Sequence, residues 1–508
     1  MILLVAATLS IITLTIIVIT VTLTRTKPSS PPKTLIPPGP PGLPLLGNLH
    51  QFMAAANKPH IHLWHLSQKY GPIMQMKQGQ TPLLVISSPK LAKEALKTQE
   101  LSFSSRPRLL GQSKLSYGCL DIAFAPYGNH WREMRKISIV HLLSLKKTKS
   151  FRSVREDEVF LMVNRLSELA SLGEAVNLSE MAMSLFSNLI CRVTFGEGCE
   201  SRRFDDLLHE AQAMMAAFFV SDHFPWFGWI DRLSGLMDRL ERTFEKLDGF
   251  YQEIIDKHLD PDRVKKIGEE IDVLDVLIRL KENESCSVDL SWDCIKALIM
   301  NFFVAGTDTN SASTVWTMTA LLKAPRVMKK LQREIRDSLG QKSLVDEDDI
   351  EKLPYLKAVV SESLRLYPPA PLLVPRETIA KCTLDGYEIE PKTIVYVNAW
   401  AIARDPEYWE SPHEFKPERF LNNNVSVRGQ DFGVIPFGSG RRICPGMSMG
   451  LANVELTVAN LVYAFDWDLP PGVKPESVDE DSLPGLAMHK KNPLLVVPKK
   501  PSISVGRD

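Results

Sequence analysis

Cys444 stands in the run Phe437-Gly438-Ser439-Gly440-Arg441-Arg442-Ile443-Cys444-Pro445-Gly446, which leads straight into an apolar stretch with helical spacing, Met447 to Tyr463. A sulfur there meets a helix N-terminus, with outward-pointing N–H groups and partial positive charge. Both predict a shift from thiol toward thiolate, the nucleophilic and metal-binding form. Pro445 suits a first helical turn, where no N–H partner is needed. Gly438, Gly440 and Gly446 would let backbone approach a flat ligand. Arg442, two residues before the sulfur, is spaced to pair with an acidic group on that ligand.

Other chemistries of a glycine-rich loop fit poorly. The Gly-Lys-Ser/Thr of a phosphate-binding loop is absent. Zinc would need further Cys or His at short spacing, and the chain has no C-x-x-C. A single thiolate holding a planar metal cofactor remains, a ligand known from one class of haem monooxygenases. Phe437, Gly440, Arg442, Cys444 and Gly446 match the F-x-x-G-x-R-x-C-x-G signature, and on this motif the chain resembles the cytochromes P-450. The resemblance implies Cys444 as the axial ligand of haem b and Arg442 as a partner of a haem propionate.

A second constellation is Ala305-Gly306-Thr307-Asp308-Thr309, inside a proline-free helical pattern from Ser291 to Lys323. Gly and Thr carry a propensity cost within a helix. A Thr hydroxyl bonded back one turn also bends it. The plain reading is a kinked core helix. The functional reading is a wall above a metal, with Thr309 hydrogen-bonding a diatomic ligand and Asp308 relaying protons from bulk water. The stretch matches the family pattern [A/G]-G-x-[D/E]-T, followed here by Asn310.

Three further matches follow from the resemblance. Trp131 and Arg135, four apart on one helical face, fit W-x-x-x-R and are implied as propionate partners, and Arg376 is implied as another. Glu362 and Arg365 fit E-x-x-R, with Arg419 as third member of a buried structural network. Phe124, Ala305, Ala370, Leu372, Leu373 and Leu486 fall where the family lines its substrate cavity. Arg106 to Gly118 reads as a surface loop and, by resemblance, covers that cavity.

The elements that must position these residues are mainly helical. Residues 150–290 alternate charged and apolar residues at helical spacing. Helices are predicted over His60 to Tyr70, Pro89 to Thr98 and Tyr355 to Tyr367. Strands are predicted over Ile73 to Met76, Leu83 to Ile86, Leu372 to Arg376, Ile394 to Val397, Phe465 to Trp467 and Leu494 to Val497. The implied fold is that of the family, mainly α with a smaller β region and an N-terminal transmembrane helix. Residues 2–24 carry no charged side chain, and roughly 20 apolar residues cross a bilayer. Arg25, Lys27 and Lys33 follow, which predicts an uncleaved anchor with its C-terminal side cytosolic. The expected divisions are an anchor at 1–24, a proline-rich hinge at 25–48 and a catalytic domain at 49–508. The aromatic stretch from Met214 to Ile230 reads equally as core or as an interfacial patch.

Lys+Arg and Asp+Glu each number 60, so no basic excess points to nucleic acid. Seven cysteines without a spacing framework argue against a disulfide scaffold and fit a reducing compartment. All but Cys444 are expected as small buried hydrophobes. By resemblance, then, the chain is a monooxygenase of the endoplasmic reticulum membrane, similar to plant microsomal A-type members. It would oxidise a small hydrophobic specialised metabolite, an aldoxime among the classes, with O2. Electrons would come from NADPH through a separate P-450 reductase, since the chain has no evident flavin or nicotinamide domain. The rival readings are a haem-thiolate isomerase or dehydratase that works without O2, and a non-catalytic haem sensor.

Overall fold

The computed structural model describes residues 35–501, apart from 55–57, 199–200, 264–271, 284–287, 341, 422–424 and 484. The expected anchor lies outside the described residues, as does the hinge before residue 35. Among the described residues no helix is long and apolar enough to cross a membrane. The rest of the hinge is docked against the sheet. Gln75 N donates to Pro38 O at 2.9 Å, and the Asn48 amide bonds Pro40 O and Lys77 N at 3.2 and 2.9 Å.

A small sheet follows this entry segment. Helix α1 (Pro59–Tyr70) precedes the antiparallel pair β1 (Ile73–Gln78) and β2 (Thr81–Ile86). Strand β3 (Arg376–Glu377) and strand β4 (Ile394–Val397) complete the order β1-β2-β4-β3, with β4 parallel to β2. The helical bulk comprises α2 (Leu110–Leu115), α3 (Asn129–Ile137), α4 (Arg152–Leu172), α5 (Leu178–Phe195), α6 (Ser201–Ala216) and α7 (Leu236–Leu259). Then come α8 (Trp292–Lys323), α9 (Pro354–Leu366) and α10 (Met447–Ala464). A second sheet joins Val176–Asn177, Leu495–Lys499 and Asp466–Asp468.

Helix α8 is the axis of the core. The Ser291 hydroxyl caps it by accepting from Cys294 N at 3.2 Å. Most of its residues are buried, as expected of a helix apolar nearly all round. It packs along α5, and Gly306 permits the approach: a Cβ there would lie 2.5 Å from Ile190 Cδ1. Gly306 therefore serves helix packing.

Three expectations are corrected. Leu372 to Val374 form no strand, and only Arg376–Glu377 pairs with β4. Leu373 has φ 54°, Pro375 has no N–H, and the carbonyls of Val374 and Pro375 are taken by Arg106. The helix predicted over Pro89 to Thr98 divides into an α-helical part, Pro89–Lys93, and a π-helical part, Glu94–Thr98. Cys191, expected as a free thiol, is disulfide-bonded, whereas Cys119 and Cys294 are free and buried.

Candidate active site

The Cys444 loop is shaped by backbone bonds before its side chains act. Gly438 N donates to Ile435 O at 2.9 Å, Ile443 N to Gly440 O at 3.0 Å and Cys444 N to Phe437 O at 2.9 Å. Gly440 adopts φ 69° and lies against the Leu96 carbonyl, where a Cβ would clash. That glycine thus serves the loop's packing on the protein rather than approach to a ligand. Gly446 is the N-cap of α10, so Pro445 precedes the helix instead of opening it. Burial pushes the Cys444 thiol up, opposed by the Gly446 N–H and by the Arg135 guanidinium. The helix terminus alone therefore does not make a thiolate here; a cation bound directly to the sulfur would.

Four arginines gather beside this loop. Arg442 donates to Ser104 O and Ala125 O at 2.8 and 2.7 Å and lies 4.1 Å from the Trp131 ring centroid. Arg376 donates to Phe103 O and Ser439 O at 3.3 and 3.1 Å. Arg106 donates to Ala123, Val374 and Pro375 carbonyls at 2.9, 2.6 and 2.7 Å. Arg135 donates to Ile443 O. The first three are buried and Arg135 is half-buried. None of the four forms an ion pair among the described residues, and each leaves guanidinium protons to spare. Burial holds Arg376 down to about 10 and Arg442 down to about 9, and neighbouring guanidiniums add to the depression. Asp121 is the nearby buried acid, but its carboxylate already accepts from Ala123 N, Phe124 N and Asn301 Nδ2 at 3.0, 3.1 and 2.9 Å.

Uncompensated buried charge of this size calls for an anionic partner. A planar group with two carboxylates and a thiolate-seeking metal would supply one, and an iron porphyrin fits both requirements. Trp131 contributes its ring face to Arg442, while its indole N–H donates to Ile122 O at 3.1 Å.

Helix α8 faces this loop. Gly450, one turn into α10, lies between the two: a Cβ there would make ordinary contact with Asn310 Oδ1 at 3.4 Å and with Phe437 Cε1 at 4.0 Å. Within the mostly buried α8, Ala305 is exposed and Thr309 half-exposed. They lie one turn apart, and the Thr309 hydroxyl donates to Ala305 O at 2.7 Å. Asp308 points elsewhere: its buried carboxylate is bonded to His489.

The family sequence model described as Cytochrome P450 matches residues 37–497. The chain belongs to the cytochrome P450 family. Similar proteins include the 6,7,8-trihydroxycoumarin synthase of Pastinaca sativa, 49% identical over 91% of this chain and 93% of its own. Cytochrome P450 71A1 of Persea americana is 46% identical over 89% and 91%. The strychnine-11-hydroxylase of Strychnos nux-vomica is 44% identical over 91% of both. Named as synthases and hydroxylases of plant specialised metabolites, such relatives make this P450 a monooxygenase of the plant 71 type. Membership implies haem, O2, a redox partner and a hydrophobic substrate.

In this P450, Glu362 and Arg365 have no exposed side-chain surface and pair bidentately at 2.7 and 2.8 Å. Arg419 Nε reaches the same carboxylate at 2.9 Å. Arg365 also donates to Ala403 O and Pro412 O at 2.6 and 2.8 Å. Of the expected cavity residues, Ala370, Leu372, Leu373 and Leu486 line one pocket of about 80 Å³ together with Pro59 and His60. Phe124 and Ala305 do not line it; Phe124 is buried in the main core. That volume is below the several hundred Å³ usual for a ligand site.

Two residues bonded into this region escape the sequence reading. Arg106, placed there in a surface loop, is buried among the arginines. His489 falls in none of the motifs read from the sequence, and its partner is 181 residues away. No local pattern announces either.

Proposed function

We propose that this P450 hydroxylates a small, largely apolar plant metabolite carrying an oxygenated aromatic ring, working at the endoplasmic reticulum membrane with electrons from NADPH through a separate reductase. The observation that carries the chemistry is the set of unpaired arginines beside Cys444, which suits a dianionic haem b held by sulfur. Arg135, Arg376 and Arg442, with Trp131 stacked behind, would hold the propionates. Phe437 and Gly446 would border the ligating sulfur. Haem, when bound, supplies the activation of O2, one oxygen atom entering the substrate and the other leaving as water.

The protein's own part is position and proton supply. The Thr309 hydroxyl hydrogen lies on Ala305 O, so its oxygen would be left to accept a hydrogen bond from a ligand. Asp308 is the adjacent proton source. Thr309→Ala is expected to retain haem while diverting reducing equivalents to hydrogen peroxide. Undiminished product per NADPH would remove Thr309 from the mechanism. Glu362, Arg365 and Arg419 would hold the fold beneath the haem without taking part in chemistry.

The aromatic class is suggested by relatives named for hydroxycoumarin and xanthotoxin products, and the pocket lined by Ala370, Leu372, Leu373 and Leu486 is mostly apolar, with His60 beside them. Membrane contact is supported by one surface. Trp226 is 90% exposed, Leu233 78% and Leu45 67%, with Phe227 and Trp229 also exposed. The two segments meet at Gly79, whose N–H donates to Leu46 O at 3.2 Å and whose Cα faces His223 and Phe224. Apolar rings and aliphatics so displayed suit headgroup depth. In the same stretch Met214, Met215 and Phe219 are buried, so it divides between core and surface.

The test is a substrate-binding difference spectrum on microsomes, with coumarins, furanocoumarins, aldoximes, terpenoids and alkaloids. A low- to high-spin shift with the coumarin-type ligands, followed by O2- and NADPH-dependent hydroxylation, is expected. A shift confined to another class would overturn the substrate assignment.

A further inference from the structure

We propose that His489 is a positioning and proton-supplying residue for Asp308, so that protons reach the distal helix through its imidazole rather than directly from solvent. The inference rests on the reading of Asp308 as proton source.

The Asp308 side chain is only 4% exposed. An acid so sealed has no direct access to bulk water. Among the described residues the one side chain that bonds its carboxylate is His489, through Nε2. That imidazole is 26% exposed, and its Nδ1 has no protein hydrogen-bond partner among the described residues. One ring nitrogen therefore faces the acid while the other is open to water.

The ring is held in that place from several directions. Trp316 Nε1, two turns along α8 from Asp308, donates to Met488 O at 2.7 Å. Met488 N donates to Pro369 O at 2.7 Å, and Leu483 N donates to His489 O at 2.9 Å. The charged neighbours on its own segment are directed away: Lys490 to Asp479, with Lys491 exposed and Asp481 paired with Lys58. Burial pulls the imidazole down, but the Asp308 hydrogen bond and charge outweigh it, and the net shift is upward from 6.5.

A proton taken from water at Nδ1 is matched by one released from Nε2 to Asp308 Oδ1. The ring gains one and loses one, and tautomer exchange with water, which removes the Nδ1 proton and returns one to Nε2, restores the starting arrangement. Histidine suits this exchange because it both holds and gives up a proton near neutral pH. Lysine would serve as a charge partner but, with an ordinary pKa near 10.4, would not release its proton there.

The experiment uses the full chain in microsomes with reductase, comparing His489→Gln, His489→Lys and Asp308→Asn. All should first show the thiolate CO spectrum. Product per NADPH in His489→Gln is expected to fall on the order of tenfold or more, in the manner of a lost acid–base group. His489→Lys should keep thermal stability yet remain uncoupled. In wild type, coupling should decline as pH rises through the raised His489 pKa, and that limb should vanish in His489→Gln. The thermal midpoint provides a readout apart from turnover. Because the folded-state pKa lies above the unfolded value, the pair's stabilisation is complete below about 6.5 and is lost as pH rises through the folded value. That slope should flatten in His489→Gln. Full coupling in His489→Lys, or wild-type coupling and pH profile in His489→Gln while Asp308→Asn is uncoupled, would overturn the role of His489 alone. Wild-type coupling in Asp308→Asn would instead overturn the reading of Asp308 on which it rests.

Discussion

Glu362, Arg365 and Arg419 lie in one buried cluster, and Arg106, Arg135, Arg376 and Arg442 gather in another. The residue types are nearly the same, yet their charge accounts differ. In the first, one carboxylate serves two guanidiniums, and the remaining donors end on the Ala403, Pro412, Glu414 and Glu410 carbonyls. Nothing further is required. In the second, the donors end on carbonyls without an ion-paired carboxylate, and burial holds Arg376 and Arg442 below their ordinary range. A cluster complete in itself belongs to the fold. One left with surplus buried charge belongs to a ligand of opposite sign.

The largest effect should come from breaking the complete cluster. Glu362→Ala leaves two buried guanidiniums without their acid and is expected to cost about 3–5 kcal/mol. Urea unfolding should show the loss whether or not haem is bound. A loss seen only in the haem-bound protein would make the two clusters alike. Arg376→Gln should act in the opposite way. Removing a hydrogen bond to a charged group costs about 1.5–3 kcal/mol, or roughly 10- to 100-fold in haem affinity. The haem-free protein should unfold no earlier than wild type, because surplus charge has been removed. A haem-free protein destabilised as much as Glu362→Ala would show that Arg376 is structural. The smallest effect is the surface control. Arg441 pairs with Glu100 at 2.8 Å and is 42% exposed, so Arg441→Ala should change stability by about 0–1 kcal/mol and leave haem retention unchanged.

Much of this frame was legible from residues alone. The span of α8 differs from the predicted one by its first residue, because Ser291 is a strong cap and no proline interrupts the run. The strand Ile394–Val397 is as predicted. The Cys444 loop was readable because its requirements are local in sequence. What was not legible depends on distant pairing or on burial. The π-helical turn at Glu94–Thr98 has no compositional mark. Leu372 to Val374 have strand-forming side chains, but Leu373 turns left-handed and Arg106 takes the neighbouring carbonyls. The thiolate argument for Cys444 considered the helix terminus and missed desolvation, which works against it. Gly440 looked like space for a ligand and makes room for the Leu96 carbonyl, and the cost of Gly306 within a helix is explained by Ile190 packed against it. His489 and Arg106 acquire their meaning only from residues far away in the chain.

The central claim is that Cys444, beside arginines without acidic partners, holds haem through its sulfur. The most direct measurement is the reduced, CO-bound difference spectrum of wild type and Cys444→Ala at matched protein concentration. The account predicts a thiolate-type band in wild type and its complete loss in the variant. A normal thiolate band in Cys444→Ala would contradict it.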